Sequence, residues 1–140
     1  MNGDIAEPFT TQLVLSTQLM SDLDDARSRL RAVAQRSRFA VIIHAGGEVD
    51  AFNEETWRRL IGETATSAPS PGSFVVDING LGFMGCCAFG VLADEARRCD
   101  QRRVALRLVS GAPRVKRFVE ACGFHGLLPI HPTASAALAC

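Results

Sequence analysis

The sequence predicts an α/β domain with much of its sheet parallel. Three observations carry this expectation. Apolar runs of strand length, FAVIIH (39–44), FVVDI (74–78) and VALRLV (104–109), recur along the chain. Segments of helical periodicity lie between them, and strands alternating with helices imply parallel, right-handed crossovers. With 140 residues, 47% of them hydrophobic and 21% charged, the chain suits one core and leaves no room for two.

Each element follows in order. Residues 1–27 read as an amino-terminal appendage, packed or mobile, ahead of a domain spanning 28–140. Within it, Ser16 to Ala26 suits a short helix with Leu19, Leu23 and Ala26 on one face and Asp22, Asp24 and Asp25 toward solvent. Leu30 to Gln35 is a weakly alternating strand, and Arg36-Ser37-Arg38 is a hairpin turn into Phe39–His44. That second strand is β-branched and apolar on both faces, which places it centrally. After Gly46-Gly47, either Asp50 or Asn53 can cap a helix with Glu54 and Glu55 in its first turn. Trp57, Leu60 and Ile61 fall on its core face.

Residues 64–73 read as a loop by composition, and Phe74–Ile78 as a buried strand. A helix then begins at Cys86-Cys87, with Val91, Leu92, Ala96 and Cys99 on one apolar face. Val104–Val109 is the next strand, and Pro113 suits the first turn of another helix. Its stripe is Val115, Phe118, Val119 and Cys122, with Gly123 as the stop. Leu127–Ile130 is a short last strand, and Thr133 starts an Ala-rich terminal helix.

Fifteen basic and fifteen acidic residues cancel, and the clusters Arg97-Arg98, Arg102-Arg103 and Arg114–Arg117 are short. No field of one sign favours nucleic acid or an anionic membrane. MNGDIAEPFTTQLVL lacks the features of a secretory signal, and no apolar window approaches a membrane span. A cytoplasmic protein is expected. Five cysteines, Cys86, Cys87, Cys99, Cys122 and Cys140, form no disulfide framework, so reduced thiols are the default.

The adjacent Cys86 and Cys87 are the most distinctive chemistry. At a helix start a thiolate is stabilised by free amides and the helix dipole. Free cysteine also serves as a small apolar packing residue, and both readings stay open here. A phosphate-cradling thiol enzyme needs a closing arginine, but Leu92 and Ala93 hold those places. His44, His125 and His131 lack metal-ligand spacing, and no nucleotide loop or nucleophile elbow is present. Nothing amounts to a complete active site, so no enzyme, metal or cofactor is expected.

The blocks GEVDAFN (47–53), VVDINGLGFMGCCAFGVL (75–92), LRLVSGAPRVKRFVEACGF (106–124) and LPIHPTASAALA (128–139) resemble, in order, those of the STAS domain. More closely they resemble actinobacterial anti-sigma-factor antagonists, over about residues 29–139, and the resemblance implies a single STAS-like α/β domain, a small mixed β-sheet with helices packed mainly on one side. The resemblance implies binding to an anti-sigma factor of the serine-kinase type and release of a sigma factor. It also implies a phosphorylated serine in an Asp-Ser-Ser-Gly tetrad, which falls on Gly85, Cys86, Cys87 and Ala88. The hydroxyl is gone, and so is the aspartate's charge.

Partner contacts are then expected from Asp50, Asn53, Gly85, Cys86 and Cys87, with an 82–90 loop. The thiols are then expected either to leave the protein permanently competent or to replace the phosphate switch by oxidation at Cys86, with Cys122 as its disulfide partner and Cys87 beside it. Cys122 would lie on the inner face at the far end of its helix, ~15 Å from the start at 1.5 Å per residue. Bridging needs Cα atoms within ~7 Å, so that helix must shift. Cys99 is an easier neighbour for Cys122, but a bond there lies away from the contact surface. A STAS module sensing a small molecule is the alternative function. The oligomeric state, homodimer included, stays open.

Overall fold

The computed structural model describes residues 11–12 and 15–139. Its elements are β1 (Thr11–Gln12), α1 (Thr17–Asp24), β2 (Leu30–Arg36), β3 (Ala40–Val49), α2 (Glu54–Thr66), β4 (Gly72–Met84), α3 (Cys86–Gln101), β5 (Val104–Val109), α4 (Pro113–Ala121), β6 (Ile130–His131) and α5 (Ala134–Leu138). The six strands form one sheet in the order β1-β2-β3-β4-β5-β6. β1, β2 and β3 pair antiparallel, while β3, β4, β5 and β6 run parallel. This is the largely parallel α/β arrangement expected from the strand and helix periodicities, and the mixed sheet that the family resemblance implies.

Alternation along the strands decides which face carries the core. Val41, Ile43 and Ala45 of β3 and Phe74, Val76 and Ile78 of β4 point to one side. There they meet Leu19 of α1, Trp57, Leu60 and Ile61 of α2, Leu92 and Cys99 of α3, and Val119 of α4. The opposite side holds a smaller cluster of Ile42, Val75 and Val109, covered by Ala137 of α5. β3 is therefore apolar on both faces because helices cover both. Among the described residues, no helix is long and apolar enough to cross a membrane.

Several boundaries differ from expectation, each for a physical reason. β3 runs on through Gly46-Gly47 to Val49, and β4 continues past Ile78 to Met84. The two stay paired from Ala40↔Ser73 to Val49↔Met84 by shifting register twice, after His44 and after Gly47. Glycine is required for this. A Cβ on Gly47, whose φ is +90°, would lie 1.7 Å from the Arg29 carbonyl oxygen, and one on Gly80 would lie 2.8 Å from that of Ala45. α2 extends to Thr66, so the expected 64–73 loop shrinks to 67–71. The last strand is Ile130–His131, because Leu127 and Leu128 instead donate to the Phe124 carbonyl in a turn.

Helix α1 is capped by Ser16, whose Oγ accepts from the Leu19 N–H at 3.2 Å. Asp22 forms an ion pair with Arg59 of α2 rather than facing only solvent. Leu19 has 0% exposure and shares the main core.

Leu19→Ala should therefore lower unfolding free energy by about 2–5 kcal/mol, the range for deleting a buried leucine. Urea denaturation followed by far-UV circular dichroism measures it. A loss below about 1 kcal/mol would show that α1 contributes little to the core.

Candidate functional site

The C-terminal ends of β3 and β4 come together at one rim of the sheet. At the end of β4, Gly85 is the backbone N-cap of α3, and Cys86 is the first helical residue. The junction is held from two sides. The Gly85 N–H donates to the Val49 carbonyl at 3.0 Å, tying it to the end of β3. From α2, the Trp57 indole Nε1–H donates to the Ala88 carbonyl at 3.2 Å, and this bond is buried. Trp57 is itself fully buried, so the first turn of α3 rests on the core.

The turn between β3 and α2 packs against this junction. Asp50 Oδ1 accepts from the N–H groups of Phe52 at 3.0 Å and Asn53 at 3.3 Å. Asn53 is the backbone N-cap of α2, yet its side chain makes no capping bond. Its Oδ1 accepts from the Asp50 N–H at 2.9 Å, and its Nδ2 donates to the Glu48 carbonyl at 2.9 Å and the Ser28 hydroxyl at 3.4 Å. At 2% exposure, Asn53 is not a surface contact, contrary to expectation. It organises the turn that presents Asp50 and Ala51.

A cleft of about 300 Å³ results, lined by Val49, Asp50, Ala51, Glu54, Phe83, Gly85, Cys86, Cys87 and Ala88. Asp50, Gly85, Cys86 and Cys87 are thus brought together as expected. The supposed 82–90 loop is the end of one strand and the start of one helix, with no flexible segment between them. Both thiols are free and exposed. Gly85 is not dictated by space: a Cβ there would meet the Val49 oxygen at 3.7 Å and the Phe83 ring at 3.8 Å, ordinary contacts.

The electrostatics run against thiolate formation at Cys87. The Glu54 carboxylate beside it pushes the Cys87 thiol above its ordinary value, and the neighbouring Cys86 adds to the effect. Asp50 and Glu54 give the rim an acidic edge, with Arg58 3.5 Å from Glu54 on the outer side. Cys99 is buried, and desolvation raises its thiol to about 11. Cys122 is exposed, whereas the stripe predicts an inward position. α4 ends at Ala121, Cys122 is its C-cap, and Gly123 at φ +76° turns the chain away. Cys140 lies outside the described residues.

Two aromatic residues escaped sequence reasoning. Phe83 is 52% exposed on the cleft wall, and Phe52 is 60% exposed in the turn beside Ala51. Periodicity does not flag them, because Phe83 sits among glycines and Phe52 in a polar turn. Large exposed aromatics bordering a cleft mark an interaction surface. Elsewhere, His44 Nδ1 lies 2.9 Å from Asp77 Oδ2. No group of three metal-ligating side chains is assembled among the described residues.

The family model for the STAS domain matches residues 31–137. The chain is 50% identical over 132 residues to a Mycobacterium tuberculosis protein named as an anti-anti-sigma factor, Rv2638, covering 94% of this chain and 89% of that one. It is 48% identical over 122 residues to the anti-sigma-F factor antagonist RsfA of the same species, covering 87% and 95%. Among solved structures, its fold is similar to an anti-sigma factor antagonist from Mycobacterium paratuberculosis, with TM-score 0.71, 20% identity, and 81% and 95% of the two chains covered. SpoIIAA in its unphosphorylated form gives TM-score 0.62 at 18% identity, covering 76% and 92%.

Glu54→Gln removes the negative charge nearest Cys87. The Cys87 pKa should fall, the thiolate fraction at a fixed near-neutral pH should rise, and alkylation by iodoacetamide should accelerate, about tenfold per pKa unit. Peptide mass spectrometry measures the rate at Cys87 alone. An unchanged rate and pH profile would contradict the assignment of Glu54 as the cause.

Proposed function

Because the chain belongs to the STAS-domain family, we propose that it is an anti-sigma-factor antagonist that docks through the cysteine rim and works without serine phosphorylation there. The partner is an anti-sigma factor of the serine-kinase type, and its capture frees a sigma factor in the cytoplasm. The protein acts by binding and catalyses nothing. The observation that carries this reading is the junction at Gly85. There a strand end and a helix start set two exposed thiols at one rim of the sheet, and on this reading Cys86 takes the place of the family's modified serine. Two relatives named as antagonists, at 50% and 48% identity, support the same assignment.

The rim offers what a protein interface needs. Phe52 and Phe83 are exposed apolar anchors, and Asp50 and Glu54 form an acidic border that suits basic groups on the partner. A standard interface buries about 800 Å² per side and draws most of its energy from a few such anchors. Where a serine would receive a phosphate and expel the partner by charge, Cys86 has no hydroxyl to accept one.

Oxidation replaces that control. A peroxide converts the Cys86 thiol to a sulfenic acid with loss of water. The Cys122 thiol then displaces a second water to form the disulfide, so two thiols and one peroxide give one disulfide and two waters. Cys86 and Cys122 are both exposed thiols, and Cys87 is held back by Glu54. Phe118 meets Phe89 of α3 with ring centroids 4.7 Å apart, and Cys122 lies one turn beyond it. The end of α4 must swing toward the rim to close the bond, which would distort the docking face.

Calorimetric titration of the reduced protein into serine-kinase anti-sigma factors tests the docking. Phe83→Ala should weaken binding at least about tenfold, a hot-spot loss, without altering far-UV circular dichroism. Equal affinity of Phe83→Ala and the native protein would contradict the assigned surface. Peroxide should abolish binding reversibly, and Cys122→Ser should protect it. Binding that survives peroxide would refute the oxidation switch while leaving the docking surface standing.

A further inference from the structure

Beside the cysteine cleft, a second cavity of about 330 Å³ opens between the end of β4 and the first turns of α4. Its walls include Leu81, Phe83 and Met84 from β4, Phe89 from α3, and Val115 and Phe118 from α4. This volume falls within the about 300–1,000 Å³ of small-molecule sites, which are mostly apolar with a few orienting polar groups. The orienting group here is Arg114, the one charged residue in the lining. Arg114 makes no hydrogen bond or ion pair within the described residues. It stands in the first turn of α4, a helix with no side-chain cap, whose start carries the positive end of the helix dipole.

An apolar chamber with one exposed cation at its mouth selects its ligand by charge and shape. We propose that the cavity binds a small amphipathic monoanion, an aliphatic or aromatic carboxylate, with its apolar body inside and its carboxylate at Arg114. A cation would be repelled by the guanidinium. A neutral ligand would leave that group unused. A nucleotide would bring several charges to one arginine and a polar base to an apolar wall.

The position of this site gives it a consequence. Phe83 lines both this cavity and the cysteine cleft, so a bound carboxylate packs against the far side of the rim's aromatic wall. Ligand and partner protein then share one side chain, and any effect of one on the affinity of the other is reciprocal. The site itself does not depend on an anti-sigma partner, and it is tested without one.

The probe is octanoate, with octanol and octylamine as neutral and cationic controls, titrated into the full chain. Heteronuclear NMR should show saturable shifts at Phe83, Phe89 and Phe118. Octanoate should bind more tightly than either control. Arg114→Gln alters an exposed side chain with no partner among the described residues, so the fold should be preserved, and it should weaken octanoate at least about threefold while leaving octanol unchanged. The proposal is overturned if octanoate causes no saturable shift at those rings up to millimolar concentration. It is equally overturned if Arg114→Gln leaves octanoate affinity unchanged, and the apolar lining then belongs to a protein interface.

Discussion

The rim depends on how β3 and β4 end. Their parallel pairing passes through two register shifts, made possible by backbone approaches at Gly47 and Gly80 that no side chain allows. Those shifts bring Val49 level with Met84, so the Gly85 N–H reaches the Val49 carbonyl. A slip of one residue would exchange the two faces of β4, taking Phe74 and Val76 out of the main core and turning Asp77 into it. The core therefore fixes the register, the register fixes the junction, and the junction sets the thiols beside the Asp50 turn. Trp57 adds a buried bond from α2 to the Ala88 carbonyl, linking the same junction to the helix layer. The cleft is thus a product of core packing.

A thiol differs from a hydroxyl by being larger, weakly hydrogen-bonding and oxidisable, and by refusing phosphate from a serine kinase. Gly85 has space for a side chain, so its lack of a carboxylate is a matter of charge and not of packing. The acidic character is supplied from α2 instead. Glu54 lies against Cys87 and raises its thiol.

The core was the most legible part of the chain. AVIIH, FVVDI and VALRLV form strands around buried apolar residues, and Trp57, Leu60, Ile61 and Leu92 are buried where helical spacing puts them, whereas Phe39, expected to open β3, lies outside it and is 61% exposed. The extensions of β3 and β4 were not legible. Glycines at 46, 47, 80 and 82 normally signal turns, and only the facing strand shows that they serve a bulged parallel pair. Asn53 was misread because a capping residue type does not reveal whether its amide reaches forward to the helix or back to Glu48 and Ser28. Cys122 continued the α4 stripe in number but not in space, since the helix stops one residue earlier. The exposure of Phe52 and Phe83 arises from neighbours distant in sequence, which periodicity does not contain.

The central claim is that the rim engages a serine-kinase anti-sigma factor and stays engaged because it offers no hydroxyl at the modified position. The most direct measurement is the affinity of the reduced protein for that factor before and after incubation with magnesium and ATP, with intact mass recorded alongside. The account predicts binding of equal strength in both conditions and no phosphate on the rim. Failure to bind in either condition, or a phosphorylated product that dissociates, would contradict it.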